Sequence, residues 1–418
     1  MREKITFNAF LVSVYLVINF IPFLYRSLSM VSLAIIVAIV LLNFNSLLKK
    51  PYIYMLLLSV ILTTWELLLL FIGISNTEYG YIFYSFRFFT SSLVLFPIIP
   101  KLTNLDKKML LISWFLSFSF TIMHNFYLYL TMGDAYYNFQ TDASLANYNI
   151  ADTYYGIAVV LCLFISLIVL LNRKKYSFLL NIIMVFTMIL SILFIIIANR
   201  LTTIIISVIG FILIIIYNRA RGKHVKYITI FVLTVLAFLV FTDVGADILE
   251  KMLSFDFSDR IKDRIESIIF ALRTGDFVNS KSSLSGRFIY TINSWNTWTN
   301  SFSSILFGVG DQRDNLELIG NHSYFIDTLA RFGIFYMLLL ITFLYLCHKE
   351  LIRNVNNDSL KAQCGIILFI FIFRNFIGNS IYVVVGMVLY VVIPLILSMK
   401  KEYACEKNEE TLINGVVI

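Results

Sequence analysis

The chain has 418 residues, of which 59% are hydrophobic, 16% aromatic and only 14% charged, with a formal net charge of +8. A soluble domain carries roughly a quarter charged residues, so this composition excludes an ordinary soluble protein and indicates a polytopic membrane protein. The positive charge does not indicate nucleic acid binding, because the lysines and arginines lie in short connections between apolar segments.

Apolar runs of the length that crosses a bilayer, about 20 residues, recur along the chain. They predict an all-α polytopic membrane protein with about twelve transmembrane helices, near residues 7–25, 28–47, 52–74, 81–100, 109–131, 154–171, 178–198, 201–217, 226–243, 323–347, 362–377 and 379–398. Only a tight hairpin separates the last two, so one long kinked helix is the competing interpretation. The first run lacks a small-residue cleavage site, so we expect a retained first span.

The distribution of basic residues predicts the orientation of these spans. With the N-terminus inside, the inner connections and tails hold twenty lysines and arginines, whereas the short outer connections hold only Arg26, Arg200 and Arg374. Because lysine and arginine in short loops mark the cytoplasmic side, both termini are predicted to be cytoplasmic. The chain is thereby divided into spans one to nine at 1–243, an extracytoplasmic loop at 244–322, spans ten to twelve at 323–398 and a cytoplasmic tail at 399–418.

The loop at 244–322 is long enough that we expect it to be partly helical and to fold on the membrane surface. Residues 258–273 place five apolar side chains on one helix face, opposite the charges: Ile261, Ile265, Ile268, Ile269 and Leu272. This pattern predicts a helix that lies flat, with its apolar face on lipid or on the spans.

A second amphipathic segment at 285–298 places Phe288, Ile292 and Trp295 on one face and Arg287 in its first turn. The free N–H groups and the dipole at a helix start favour an anion, so a cation there is locally unfavourable unless an anion binds.

The chain then enters the tenth span through Asn321-His322-Ser-Tyr-Phe-Ile-Asp327. We expect Asn321 or Ser323 to cap this helix. His322 then stands at the outer mouth of the bundle, with Tyr324 nearby and Asp327 about one turn deeper. An interfacial histidine is the structural interpretation of His322; the functional one depends on nearby arginines.

Three positions place charge at membrane depth. Arg200 lies at an outer turn inside an apolar stretch from residue 192 to 216. Burying a charge there costs at least ~2.5 kcal/mol without water, headgroups or a partner, so Arg200 is a candidate for function, with binding to a lipid phosphate as the alternative. Glu66 and Arg87 fall in adjacent antiparallel spans at similar depth, and we expect them to pair with each other.

Arginines at a water–lipid boundary favour a phosphate or pyrophosphate ligand, because a guanidinium binds phosphate oxygens bidentately and keeps its charge. Arg200, Arg287 and either Arg374 or Arg87 are the arginines that could converge on the outer face, beside His322. A lipid that carries a pyrophosphate fits this boundary. The histidines and cysteines show no ligand or paired spacing and no cofactor motif is present, so we expect no metal, no cofactor and no disulfide.

Several motifs occur in a fixed order: Asn199-Arg200-Leu-Thr at the start of a mid-chain span, Ser285-Gly-Arg287 before a Trp-bearing helix, Phe307-Gly-Val-Gly310, and Asn-His322-Ser-Tyr-Phe-Ile-Asp with Leu-Ala-Arg331-Phe-Gly333. With about twelve spans and one large late outer loop, this arrangement resembles the O-antigen polymerase and ligase superfamily, whose polymerases are of the Wzy type. Two positions depart from the pattern of many members: Asn321 before the histidine, where they have His-Asn order, and Tyr336, where they have a second glycine.

The resemblance implies a metal-independent glycosyltransferase on the outer face of the bacterial inner (plasma) membrane. It implies a polyprenyl-pyrophosphate-linked glycan as donor, a hydroxyl of a single lipid-linked repeat unit as acceptor, and O-antigen or capsular polysaccharide as product. Membrane lipids and a chain-length regulator protein are the further partners expected, and no nucleic acid.

At the matching positions, the resemblance assigns Arg200 and Arg287 to the leaving pyrophosphate and His322 to the acceptor hydroxyl as general base or orienting group. Arg374 and Arg87 are further candidates for binding the pyrophosphate, and Tyr324 and Asp327 for orienting the acceptor.

Two other functions remain open. An O-antigen ligase would pass the same donor to lipid A core. A flippase or other transporter of the lipid-linked unit would suit twelve spans equally well, although transport needs no outer loop of this size. A membrane scaffold without activity would leave Arg200 unexplained.

Overall fold

The computed structural model describes residues 5–71, 95, 97–133, 155–198, 201–219, 243–254, 259–274, 283–310, 317–320, 322–353, 355, 358–378 and 382–399. These ranges are helical and contain no strand. Their helices are α1 (Phe7–Phe20), α2 (Pro22–Ser27), α3 (Ser29–Leu42), α4 (Phe44–Leu47), α5 (Tyr52–Phe71), α6 (Asn104–Met132), α7 (Tyr155–Leu171), α8 (Phe178–Ala198), α9 (Leu201–Arg219), α10 (Asp243–Met252), α11 (Asp259–Thr274), α12 (Ser283–Thr299), α13 (Phe302–Phe307), α14 (Tyr324–Arg353), α15 (Asp358–Ile377) and α16 (Val383–Ser398).

Five described helices are long and apolar enough to cross a membrane: α5, α6, α8, α14 and α15 from Ser359 onward. Shorter apolar helices are α1, α3, α7, most of α9, and α16. The predicted all-helical class with helices fit to span a membrane is therefore confirmed. All of the ninth predicted span except residue 243 lies outside the described residues, as does most of the fourth.

The first two predicted spans are each interrupted. The segment predicted at 7–25 breaks between α1 and α2, where Pro22 has no N–H to continue the hydrogen bonding of α1. The segment predicted at 28–47 breaks at Asn43, whose side-chain amide donates to the Ile39 carbonyl. Both predictions missed these breaks because mean hydropathy does not register a single polar residue or proline.

Helix α7 is the central helix of the bundle, with every residue from Tyr155 to Val169 buried. It has an almost wholly apolar sequence, as expected of a helix that is covered on all sides. At Gly210, α9 approaches so closely that an added Cβ would overlap Phe164 of α7 and Ile370 of α15. Helices α7, α9 and α15 therefore pack directly against one another.

Hydrogen bonds between helices show their relative directions. Asn19 bonds Ser32, and Asn8 bonds Asn43, so α1 and α3 are antiparallel. Thr6 bonds Asp106 near the starts of α1 and α6, while Thr121 reaches the carbonyl of Phe20, so these two helices are parallel. The twelve-span scheme requires the same relative directions for both pairs.

Helices α5 and α14 are antiparallel and joined by two Tyr–Glu hydrogen bonds. Tyr52 donates to Glu350 Oε1 over 2.8 Å, and Tyr336 donates to Glu66. Each helix therefore contributes one tyrosine and one buried glutamate. Arg87, the predicted partner of Glu66, lies outside the described residues, so that pairing stays a prediction.

The helices predicted at 258–273 and 285–298 are present as α11 and α12. Helix α10 was not predicted, because residues 244–252 were assigned to the loop and the first amphipathic pattern identified there begins at residue 258. The buried apolar side chains of α11, Ile265 and Ile269, pack with Ala246 of α10, not on lipid or on the spans as expected. Arg273 also binds Asp247 and Glu250 of α10, so the two helices form a hairpin.

Candidate functional site

The start of α14 is joined to α12 through a buried aspartate. Asp327 Oδ1 accepts a hydrogen bond of 2.6 Å from the hydroxyl of Ser294, and Oδ2 accepts one of 3.0 Å from the backbone N–H of Ser323. The backbone N–H of Gly320 donates to the same serine oxygen over 2.9 Å. Asp327 and Ser294 are both buried, so this network holds α12, residue 320 and the start of α14 together.

Ser323 begins α14 as its cap. Its hydroxyl accepts a 3.4 Å hydrogen bond from the Ile326 N–H, while its own N–H bonds Asp327. The predicted cap is therefore confirmed at Ser323; the alternative, Asn321, lies outside the described residues. Such a reciprocal pair orients the chain that enters the helix, and that chain includes His322.

The imidazole of His322 lies beside the ring of Tyr290 on α12. Their ring centroids are 5.0 Å apart, and the planes are tilted by 35°. His322 is half-buried, so it is both packed and accessible. Tyr290 and Ser294 are one turn apart on α12, and together they place His322 and Asp327 on the same side of that helix.

Arg374 reaches this junction from the end of α15. Its guanidinium packs so closely on Gly378 that an added Cβ there would overlap it. The Gly378 carbonyl accepts a 3.2 Å hydrogen bond from the Tyr324 N–H, and the rings of Phe325 and Phe376 are 5.0 Å apart. The structure thus brings Arg374 next to the first turn of α14, which follows His322.

The structure describes the other three predicted arginines only in part or not at all. Helix α12 begins at Ser283, so residue 287 is its fifth residue and lies in the second turn, not in the first turn as predicted. It precedes Tyr290 by one turn on the same helical face, and its side chain is outside the described part. Arg200 and Arg87 lie outside it entirely. Helix α9, which begins at Leu201, runs antiparallel to α15, with Gly210 against Ile370 and Asn218 bonded to Gln363. The start of α9 is therefore level with the end of α15.

Helix α14 is broken at Gly333, which has a φ of 75°. The carbonyls of Ala330 and Arg331 accept hydrogen bonds of 2.9 Å from the N–H groups of Val309 and Gly310. An added Cβ at Gly308 would overlap the backbone of Arg331, and one at Gly333 would overlap the backbone of Leu306. The two glycine motifs of the sequence, at 307–310 and 329–333, therefore meet in one backbone-to-backbone contact.

Sequence reasoning missed Tyr290, Ser294 and Gly378. The apolar residues 288, 292 and 295 defined the expected face of α12, yet Ser294 and Thr297 are buried and Trp295 is half exposed. Tyr290 and Ser294 follow Arg287 at three and seven residues, which is the spacing of one helix face. That spacing was the available signal.

The sequence matches no known protein-family profile and no curated protein.

The chemistry that this junction offers is that of a cation and an imidazole. Arg374 supplies a fixed positive charge, and His322 supplies the type of side chain that most often acts as a general base. The carboxylate of Asp327 is occupied by α12 and Ser323. Among the described ranges, no three histidine, cysteine, aspartate or glutamate side chains come together as a ligand set for a metal ion.

Proposed function

We propose that this chain is a polysaccharide polymerase, an integral-membrane glycosyltransferase that joins polyprenyl-pyrophosphate-linked repeat units. The proposal includes twelve spans, cytoplasmic termini and a catalytic junction on the outer face of the bacterial inner membrane. Two observations support it: the ring of His322 lies against Tyr290 where α12 and α14 join, and Arg374 packs on Gly378, whose carbonyl binds the N–H of Tyr324. A proton acceptor beside a fixed cation suits the loss of a pyrophosphate leaving group.

In the proposed reaction, a hydroxyl oxygen of the acceptor sugar attacks the anomeric carbon of the donor glycan. The bond between that carbon and the pyrophosphate oxygen breaks, and its electron pair leaves with the polyprenyl pyrophosphate. The hydroxyl proton passes to His322, whose ordinary pKa of about 6.5 suits this role at neutral pH. Arg200, Arg287 and Arg374 stabilise the charge that develops on the pyrophosphate.

Asp327 serves in this scheme by positioning other groups. Its two carboxylate oxygens bind α12 and the cap of α14 at once, so it sets the position of residue 287 relative to His322. Through the same contacts, Asp327 would help to orient the acceptor. Tyr324 is the second candidate for that role.

The direct test is a purified-protein assay with a synthetic lipid-linked repeat unit as both donor and acceptor. We expect polymer from the unmodified protein, and none from His322→Ala, Arg200→Ala, Arg287→Ala or Arg374→Ala. Arg273→Ala is the matched control, because Arg273 is an exposed arginine of the α10–α11 hairpin. Normal polymerisation by the arginine variants, at normal protein level, would show that the pyrophosphate assignment is wrong.

Deletion in the native host separates the related functions. Loss of a polymerase leaves surface glycan one repeat long, whereas loss of a ligase leaves finished polymer on its lipid carrier. Loss of a flippase leaves lipid-linked units on the cytoplasmic side. Only the first outcome agrees with the proposal.

A further inference from the structure

Helix α13 contacts two of the helices that are long and apolar enough to cross a membrane, α5 and α14. The ring of Phe307, its last residue, stacks on Trp65 of α5 with centroids 6.2 Å apart, and contacts Phe335 of α14 at 5.8 Å. Trp65 precedes Phe71, the last described residue of α5, by six residues, which is roughly 9 Å at 1.5 Å per residue. If α5 crosses the bilayer, Phe307 lies well below the level at which α5 ends.

The backbone of residues 308–310 is suited to this depth although it is not helical. Within a bilayer, irregular backbone is tolerated only where protein satisfies its polar groups. The N–H groups of Val309 and Gly310 donate to the carbonyls of Ala330 and Arg331. The break at Gly333 releases these carbonyls from the helical pattern of α14, so donors and acceptors on both segments are satisfied together.

The exposed surface of α13 consists of two phenylalanines, Phe302 and Phe307, and the small polar side chain of Ser303. Phe302 is 76% exposed and Phe307 47%, next to Phe335 at 44% and Leu338 at 54% on α14. This aromatic surface is continuous with the outer surface of a helix apolar enough to span a membrane. The exposed residues of the α10–α11 hairpin are instead mixed: the charged Glu250, Lys251 and Glu266 occur together with Ile248 and Phe270.

We propose that residues 302–310 form a re-entrant segment, which enters the outer half of the bilayer beside α5 and α14 and packs its exposed phenylalanines against lipid acyl chains. This part of the long connection is therefore inside the membrane, while the α10–α11 hairpin remains in water. The proposal does not depend on glycosyl transfer.

Spin labels in proteoliposomes of phosphatidylcholine test this assignment. The label is attached at Phe302→Cys or Phe307→Cys, in a background with Cys405→Ser that keeps the buried Cys162, Cys347 and Cys364. Leu338→Cys is the control for lipid, and Glu266→Cys the control for water. Collisions with oxygen, which concentrates in acyl chains, are compared with collisions with a water-soluble nickel chelate.

We expect both phenylalanine positions to resemble Leu338→Cys, with an oxygen-to-nickel ratio several-fold above that of Glu266→Cys. Ratios equal to that of Glu266→Cys would overturn the proposal. Most of the Phe302 side chain is exposed, so a substitution there is better tolerated. If Phe307→Cys does not fold, the result for Phe302→Cys decides the test.

Discussion

At the scale of single residues, the absence of a side chain at Gly378 leaves the space that the Arg374 guanidinium occupies. A methyl group at residue 378 would overlap the guanidinium, which is the mobile end of a flexible side chain, so Gly378→Ala should fold with Arg374 displaced. We expect donor binding to weaken about tenfold or more, equivalent to about 1.4 kcal/mol, as measured by the KM for the lipid-linked donor. Gly365→Ala on α15, the helix that carries Arg374, is the control, because nothing lies within 4 Å of an added Cβ there. Equal kinetics for the two variants would contradict the placement of Arg374.

Ser294 is a second residue whose role depends on its partners. Ser294→Ala leaves Asp327 Oδ1 and the Gly320 N–H without the hydroxyl that they share. Groups of this kind cost about 1–3 kcal/mol when they are left unsatisfied in the interior, so we expect a clear fall in the thermal midpoint of the detergent-purified protein. Ser303→Ala, at an exposed serine, should change stability by about 0.5 kcal/mol or less.

At the scale of elements, the two Tyr–Glu hydrogen bonds keep α5 and α14 in register, but they should differ in strength. Glu350 also binds Arg353 at 3.2 Å, so Tyr52→Phe leaves it an ionic partner. Tyr336→Phe removes a donor from Glu66 in the middle of the helix pair, where water is excluded. We expect Tyr336→Phe to destabilise by about 1–3 kcal/mol and Tyr52→Phe by less, as measured by thermal unfolding in detergent. The opposite ranking would be evidence against this explanation.

The contact between the two glycine motifs is a further element-scale feature. Gly308→Ala and Gly333→Ala place a methyl group into facing backbone, in addition to the strain of a positive φ. Gly133→Ala is the matched control, because Gly133 has a φ of 55° but open space around its Cβ. We expect the first two variants to lower the yield of folded protein far more than the third, which should cost about 1–2 kcal/mol. Similar yields for all three would mean that backbone strain alone explains the glycines.

At the scale of the whole molecule, basic residues predict which end of the bundle faces the cytoplasm. Lys174 follows α7 at the basic end, and Glu317 belongs to the connection before α14. In intact cells, a membrane-impermeant maleimide should label Glu317→Cys and not Lys174→Cys, in the Cys405→Ser background. Permeabilised cells, in which both should react, provide the control. Labelling of Lys174→Cys in intact cells would reverse the predicted orientation.

The positions of most described helices were predictable because apolar runs and helical periodicity are local properties. Helices α6, α8, α9 and α11 occur close to their predicted segments. Arg374, which the sequence suggested as a neighbour of His322, lies beside Gly378, whose carbonyl binds the N–H of Tyr324, but its proximity to His322 itself stays a prediction. Helix α10 was not predicted, because a helix of ten residues is too short for its periodicity to stand out in a long loop.

The sequence by itself determined that this is an all-helical chain with helices fit to cross a membrane, because composition and periodicity decide whether a segment prefers lipid. Only the tertiary structure decided which polar groups meet. Ser294 and Asp327 are 33 residues apart, and Glu66 and Tyr336 are 270 apart, so no local pattern links them. A polar side chain inside an apolar bundle is stable only where the fold provides a partner, and the packing of whole helices selects that partner.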